Sequence, residues 1–409
     1  MKKVFSRTAI PLDKNELKML FHGACEDDIK TMERNLRRYL GVKAVLALDS
    51  GRSSLFLALQ LLKLKKGDKI LLPAFVCPVV YDVVLSAKLT PLPVDVSPKD
   101  YNIDAACIKK EYLKSAKAII VVHLFGKSCN LDEIVELAEE YGLYIIEDAA
   151  QALGATYKGK KVGCYGDLSI LSFGLGKNIT GGCGGALVIN RGHLLDEFEE
   201  MMSDIPYCSV QDRMIVAKNI IIMKMLANPR LYSVLREYVN YYLEKTDRHI
   251  IDHIKETLTK TSKNGSSYEP RRIHPLSAKI VDHQLRKIDY LNQKRIDHAK
   301  TLLQILSCQS KIYVPQEDYF RNNVFCRFPV KLCKGLSNKR DYIIKKLVRL
   351  GVDAEKPYHI MNELAQIIKH AVNAIKLTKT LITIPNHPCL TNNEVASIGE
   401  KVLSVLRDI

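Results

Sequence analysis

Short apolar runs alternate with amphipathic ones along the first half of the chain. "DDIKTMERNLRRYL" carries apolar residues at helical spacing, and "KAVLALDS" follows as a strand. "GRSSLFLALQLLKL" returns to helical spacing directly after a glycine turn. "GDKILLPAF" predicts a turn and a short strand, "VCPVVYDVVLSAKL" a helix and "TPLPVDV" another strand. "AKAIIVVHLFG" is a continuous β-branched run, as in a strand buried on both faces. "NLDEIVELAEEYG" is an amphipathic helix, opened by Asn130 as its N-cap and stopped at Gly142. "LYIIEDAAQ" is a further buried strand, ending in acids. The alternation predicts an α/β fold, a large domain with a mostly parallel sheet sandwiched by helices. Such sheets bind ligands at the carboxyl ends of their strands. Ser50, His123, Asp148 and Ser172 all fall at or near those ends.

The pattern changes after about Met201. Residues 213–272 read as helical and basic, with 12 Lys and Arg against 6 Asp and Glu. "TSKNGSSYEPRR" predicts an exposed loop, and "LSAKIVDHQLRKIDYLNQKRIDHAKTLLQIL" one long helix. The tail holds a strand ("NVFCRFPVKL"), a helix ("SNKRDYIIKKLVRLG") and a last helix. Thr391 and Glu394 form a capping-box pattern at the start of that helix. With 409 residues the chain exceeds one ordinary core. The expected division is a large domain over 1–272, including the N-terminal segment and a basic helical insertion at about 207–263. Residues 273–409 would form an interdomain helix and a smaller C-terminal α+β domain.

Composition narrows the class. Hydrophobic content of 47% and charged content of 26% are those of a soluble globular protein. No apolar run reaches the ~18–20 residues that span a bilayer. "MKKVFSRTAIPLDKNELKML" has neither the apolar stretch nor the cleavage site of a signal peptide, and reads as mature sequence. The 11 cysteines are scattered, with no C-x-x-C pair and no zinc spacing. They are expected to be reduced thiols in the cytoplasm, with no metal site. The net charge of +16 would suit nucleic acid, anionic lipid or a phosphorylated substrate equally well. No helix-turn-helix, zinc-finger or RNA-binding signature is present, so nucleic acid is not expected.

Three features carry chemistry. In "LDSGRSSL" a glycine turn opens a helix, whose free N–H groups and dipole form an anion cradle lined by Gly51, Arg52 and Ser53. An ordinary strand–helix turn would look the same. In "YIIEDAAQALGA", Asp148 ends a buried strand and needs a cation or several donors; capping a helix is the alternative. In "LSILSFGLGKNITGGCGGALVIN", Lys177 stands between a buried strand and a glycine cluster, where a lysine can serve as a nucleophile. A turn lysine is its bland counterpart. Together the three match pyridoxal 5'-phosphate, which needs a lysine for its aldehyde, an acid for its ring nitrogen and an anion site for its phosphate.

At this point the chain resembles the DegT-type nucleotide-sugar aminotransferase family, pyridoxal-phosphate enzymes of fold type I. The resemblance rests on "SGRSSLFLAL", "GDKILLPAF", "VDVSPKDYNID", "VVHLFG", "IIEDAAQALGATYKGKKVGCYGDLSILSF" and "GKNITGGCGG" in family order. "RDYIIKKLVRLGV" and "IPNHPCLTNNEV" extend it to the C-terminal part. It implies that Lys177 forms the Schiff base with the cofactor and shuttles the proton. It implies that Asp148 pairs with the ring nitrogen, that Gln151 lies on the hydroxyl side, and that Ser172 with Gly51, Arg52 and Ser53 holds the phosphate. Phe75 and Cys77 fall where the family places a ring-stacking aromatic. The implied protein is a homodimer with a shared site. It would pass an amino group, from glutamate, to a keto sugar on a nucleotide carrier. A ketocyclitol acceptor is the alternative, and a non-catalytic regulatory or membrane-associated binding protein on the same fold is the alternative of another class. Relatives that act as dehydratases replace the lysine, and Lys177 speaks against that chemistry.

The sequence also departs from the family. Arg52 stands in place of a common Thr, which leaves the backbone donors intact. Cys183 replaces a usual Glu, either to alter substrate choice or as a small packing residue. The family's Asn-containing stretch that reaches the partner's phosphate site is absent from "YEPRRIHPLSAKIVDHQL", where Arg271 or Arg272 would serve instead. The segment 207–263 admits three readings: a dimer-interface lid, a weak peripheral membrane contact prompted by "IVAKNIIIMKML", or an anionic-substrate site.

Overall fold

The computed structural model describes residues 3–209, 211–234, 269–358 and 368–409. Helices α1 (Lys14–Met19) and α2 (Glu26–Leu40) precede strand β1 (Ala44–Leu48). Then follow α3 (Gly51–Leu61), β2 (Lys69–Pro73), α4 (Pro78–Ser86), β3 (Thr90–Val94), α5 (Lys110–Ser115), β4 (Ala116–Val122), α6 (Leu131–Tyr141) and β5 (Tyr144–Asp148). A small hairpin, β6 (Thr156–Tyr157) and β7 (Lys160–Lys161), leads to β8 (Leu168–Ser172) and β9 (Gly185–Ile189). The seven-stranded sheet has the order β1-β9-β8-β5-β4-β2-β3. Only β9 runs against its neighbours, so the other six strands end on one edge.

The β-branched runs are explained by burial on both faces. Along β4 and β5, Ile120, Val122 and Ile146 join one core cluster, while Ile119, Val121 and Ile145 join the other. Such a two-sided strand has no polar face to alternate with. The first cluster continues into a three-stranded antiparallel sheet, β10 (Ile312–Tyr313), β11 (Phe328–Leu332) and β12 (Leu381–Ile384), through Phe328, Val330 and Ile382. The first described residues, grouped by sequence with the large domain, lie against this C-terminal part. Phe5 bridges Val352 in parallel, and the Arg7 guanidinium pairs with Asp353 at 2.9 Å.

Several expectations are corrected. The single long helix is two, α9 (Pro275–Leu285) and α10 (Ile288–Leu306). The break at 286–287 lets α9 pack on α2 while α10 packs on α13 (Asn392–Arg407). Beside it, the Lys287 ammonium is drawn to Glu16 at 2.7 Å and Asp13 at 3.1 Å. The strand predicted over 323–332 starts only at Phe328, because Phe325 takes a left-handed conformation (φ 46°). Asn130 occupies the N-cap of α6 without capping it; its side chain bonds the Tyr157 hydroxyl and Glu133 instead. Gly142 does end that helix in the left-handed region, and Thr391 with Glu394 does form the capping box of α13.

Part of the apolar set that prompted a membrane reading is buried inside the protein, while Ile221 is exposed. In α8 (Asp212–Leu226), Val216, Ile220 and Met223 are fully buried against Ile10, Leu12, Leu276 and Ile280. Among the described residues no helix is long and apolar enough to cross a membrane. Residues 235–263 of the insertion, and 261–268 of the predicted loop, lie outside the described residues.

Candidate active site

Strand register gathers the candidate residues. Val122, Asp148 and Ile170 are neighbours across β4, β5 and β8, and Ser172 stands two residues further along, opposite Gly185. Gly185 also faces Leu48, the last residue of β1. The turn after β1 therefore sits beside Ser172. A Cβ on Gly51 would lie 3.0 Å from the Ser172 Cβ, and one on Gly185 only 2.4 Å from the Gly51 nitrogen. Glycine at 185 is what lets β9 pass so close to the start of α3.

Ser50 caps α3 with its side chain, accepting from the Ser53 N–H at 3.1 Å. The Ser50 and Ser53 hydroxyls lie 2.9 Å apart. Ser53 is buried and its N–H is spent on the cap, so the rim of the cradle is the half-buried Gly51 and Arg52, with the Ser172 hydroxyl beside them. Asp49, not singled out from sequence, precedes the cap. Burial pushes its carboxyl up, against the pull of Ser53, Arg271 and Arg52, and its Oδ1 has no hydrogen-bond partner.

Asp148 is buried at the sheet edge. One oxygen accepts from the Ala150 N–H at 3.0 Å, and no helix follows for it to cap. Its other oxygen accepts no hydrogen bond among the described residues. Burial raises its carboxyl, and the positive charge of Lys177 is the first influence that opposes this. Lys177 itself is half-buried in the loop between β8 and β9. That loop is pinned: Thr180 donates to the Phe173 carbonyl at 3.1 Å, and Gly181 N–H to the same oxygen at 3.0 Å. Its glycines at 181, 182 and 184 admit close protein neighbours rather than open space. Gly182, at φ 80°, is crowded by the Val216 carbonyl, 2.9 Å from where a Cβ would stand.

Gln151 is held at both ends of its amide. Its nitrogen donates to the Tyr358 hydroxyl at 2.6 Å, and its oxygen accepts from the Phe125 N–H at 3.2 Å. Phe75 is buried with its ring edge-on to Tyr358, centroids 5.5 Å apart, and Cys77 opens α4 behind it. Tyr358 was missed from sequence; it comes from the far end of the chain in a segment without periodicity. His123, expected at the site, turns away. Its Nδ1 accepts from the Cys129 N–H at 3.1 Å, so its Nε2 carries the proton and donates to Glu147 at 3.0 Å.

Two departures resolve structurally. Cys183 packs beside Ile220 and Leu276, its Sγ 3.3 Å from the Ser277 hydroxyl, and burial pushes its thiol up to about 11. Its side chain thus packs within its own chain. Arg272, expected to reach a partner's phosphate, is buried within its own chain. It pairs with Glu33 at 2.7 Å, and the Tyr207 ring lies 5.6 Å away. A buried ion pair cannot be given up without stranding Glu33. Arg271 remains half-exposed, 3.9 Å from Asp212. All eleven cysteines are free thiols.

The donor set fits pyridoxal phosphate: a buried acid short of donors, a lysine whose charge it feels, and a helix start crowded against Ser172. The sequence matches the DegT/DnrJ/EryC1/StrS aminotransferase family over residues 22–215 and 238–403. It is 26% identical to the GDP-perosamine synthase of Caulobacter vibrioides, over 93% of this chain and 90% of the relative. Its fold is similar to that of Helicobacter pylori PseC, an aminotransferase of pseudoaminic acid biosynthesis. The TM-score is 0.78 at 20% identity, covering 100% of both chains. The Streptococcus pneumoniae sugar aminotransferase Spr1654, in its PLP form, gives 0.77 at 19% identity, over 99% of both chains. The chain belongs to the DegT/DnrJ/EryC1/StrS aminotransferase family and is a pyridoxal-phosphate-dependent aminotransferase.

Proposed function

We propose that this enzyme transfers an amino group from an amino acid, glutamate, to a keto sugar carried on a nucleotide. The observation that carries the reading is the Asp148 carboxyl, buried at the sheet edge with one oxygen short of donors and facing the charge of Lys177. Bound pyridoxal phosphate supplies the electron sink that lets an amine and a carbonyl exchange. Asp148 accepts the ring N–H and keeps that proton in place. Lys177 Nζ would hold the cofactor and serve as the group that carries the proton. Gly51, Arg52 and Ser172 bind the phosphate, with Ser53 holding the turn through Ser50. Phe75, Cys77 and Gln151, clamped by Tyr358, would wall the cofactor ring and shield it from water.

The keto-sugar acceptor is supported by the GDP-perosamine synthase that matches nearly end to end. The net charge of +16 suits a diphosphate-bearing substrate. A cytoplasmic homodimer is part of the proposal. Exposed Met214 and Ile221 on α8, which covers the Lys177 loop, support a partner chain seated there. Glutamate should bleach the visible band of the loaded protein, and the aminated enzyme should then convert a keto-sugar nucleotide, detected by mass spectrometry. Completion of both half-reactions by a Lys177→Ala protein would falsify the assignment. Conversion of a ketocyclitol alone would replace the acceptor.

A further inference from the structure

Arg295, on α10, is among the largest fully buried side chains of the protein. Among the described residues it has no carboxylate within ion-pair distance. Buried charges are ordinarily paired, because an unpaired one loses its hydration without compensation. Its guanidinium instead donates to two neutral oxygens: Nη2 to the backbone carbonyl of Asn178 at 2.7 Å, and Nη1 to Asn292 Oδ1 at 2.8 Å. Asn178 directly follows Lys177.

Asn292 extends the link. Its Nδ2 donates to the Leu153 carbonyl at 2.9 Å, and its Oδ1 also accepts from Asn178 Nδ2 at 3.2 Å. Leu153 lies in the turn that carries Gln151 away from Asp148. Gly154 is required beside it: at φ 90° a Cβ there would stand 2.5 Å from Asn292 Nδ2. Asn386 holds the other side, donating to the carbonyls of Arg295 and Phe325. One guanidinium and one amide on the same helix face thus tie the loop of Lys177 to the loop of Asp148. Among the described residues Asn292 is the side chain that bonds both loops, and Arg295 braces it while holding the Asn178 carbonyl.

We propose that Arg295 is a positioning residue for Lys177, its planar fork fixing the Lys177 loop against the Asp148–Gln151 loop through Asn178 and Asn292. The inference rests on Lys177 being the residue that bonds the cofactor. A planar fork fixes the directions of both bonds at once, which an ammonium with rotatable donors on a flexible stem does not. Misplacing a reacting amine by about 1 Å costs on the order of a hundredfold in rate.

The test compares wild type, Arg295→Lys, Arg295→Met and Lys177→Ala. Each apoprotein is mixed with pyridoxal phosphate, and attachment is trapped over time with borohydride and located by peptide mass spectrometry. Thermal melting of the apoproteins reports folding separately. In folded Arg295→Lys and Arg295→Met, attachment at Lys177 should slow on the order of tenfold to a hundredfold. Turnover should fall with little change in the donor KM. Wild-type attachment by either folded variant overturns the proposal, and so does full rescue by lysine, since charge rather than geometry would then suffice. If Arg295→Met does not fold, Arg295→Lys decides alone by the same criterion. Attachment in Lys177→Ala at the wild-type rate would remove the lysine assignment itself. Its silence there, with normal Arg295→Lys, removes only the present inference.

Discussion

Two acids stand side by side at the end of β5, and the sheet separates them into opposite environments. Glu147 points to one face and is saturated. Its Oε1 accepts from the N–H groups of Tyr165 (2.6 Å) and Gly166 (2.7 Å), its Oε2 from Gly163 N–H (2.8 Å) and His123 Nε2 (3.0 Å). Asp148 points to the other face and accepts one backbone N–H. Burial alone would raise both carboxyls. At Glu147 the hydrogen bonds from His123, Gly166 and Gly163 outweigh burial and hold the group below its usual range. At Asp148 burial wins and the group is raised. Two acids of one strand thus differ in purpose. The saturated one organises the 163–166 turn, and the undersupplied one is left for a ligand to satisfy.

The sharpest way to break this contrast is Glu147→Ala. It strands four donors, most of them buried, each worth about 1–3 kcal/mol when left unmet. Unfolding stability in urea should fall by about 4 kcal/mol or more. A loss under about 1 kcal/mol would mean that water replaces the carboxylate.

Next comes Asp148→Asn, where the effect should move from stability to activity. Transamination should drop by a factor on the order of 10²–10⁴, while the apoprotein at neutral pH should be as stable as wild type or more so. The sign follows from linkage. A carboxyl raised on folding binds its proton more tightly in the folded state, so ionisation above its ordinary range destabilises the fold. Asparagine removes that penalty, and the advantage over wild type should fade as the pH drops below the ordinary carboxylate range. For Glu147, lowered on folding, the sign reverses. Its contribution is present above the ordinary range and is lost as pH falls through its folded-state value. Parallel pH–stability curves for Glu147→Gln and Asp148→Asn, each against wild type, check both signs; curves of the same slope would refute the comparison.

The smallest effect is expected at Ile146, directly before them on the strand and fully buried. Ile146→Val removes one methylene and should cost about 0.5–1.5 kcal/mol with unchanged activity. It sets the scale for ordinary core loss against which the two acids are measured.

Much of the site was legible in sequence. Asp148 ends an apolar run that reads as a buried strand, and the Gly51 turn and Lys177 each follow one, so strand ends located them. Glu147 carried a signal that went unused: an acid inside an otherwise apolar strand must find donors. Arg272 misled because charge and position say nothing of direction, and Glu33, from a helix far earlier in the chain, claims it. The helix break at 286–287 was invisible for a related reason. Helical spacing continues through it, and only packing on two different neighbours divides the segment.

The sequence by itself determined the order of strands and helices, the edge on which the chemistry falls, and the cofactor that a lysine, an acid and an anion turn require. Those follow from local patterns, since burial on two faces and turn geometry leave their mark on consecutive residues. Tertiary structure alone decided which acid is saturated and which is available. It also decided that Arg272 faces inward, that Tyr358 clamps Gln151, and that Arg295 reaches the Lys177 loop. Each depends on groups brought together from distant positions, and a hydrogen bond is set by separation in space, on which distance along the chain places almost no limit.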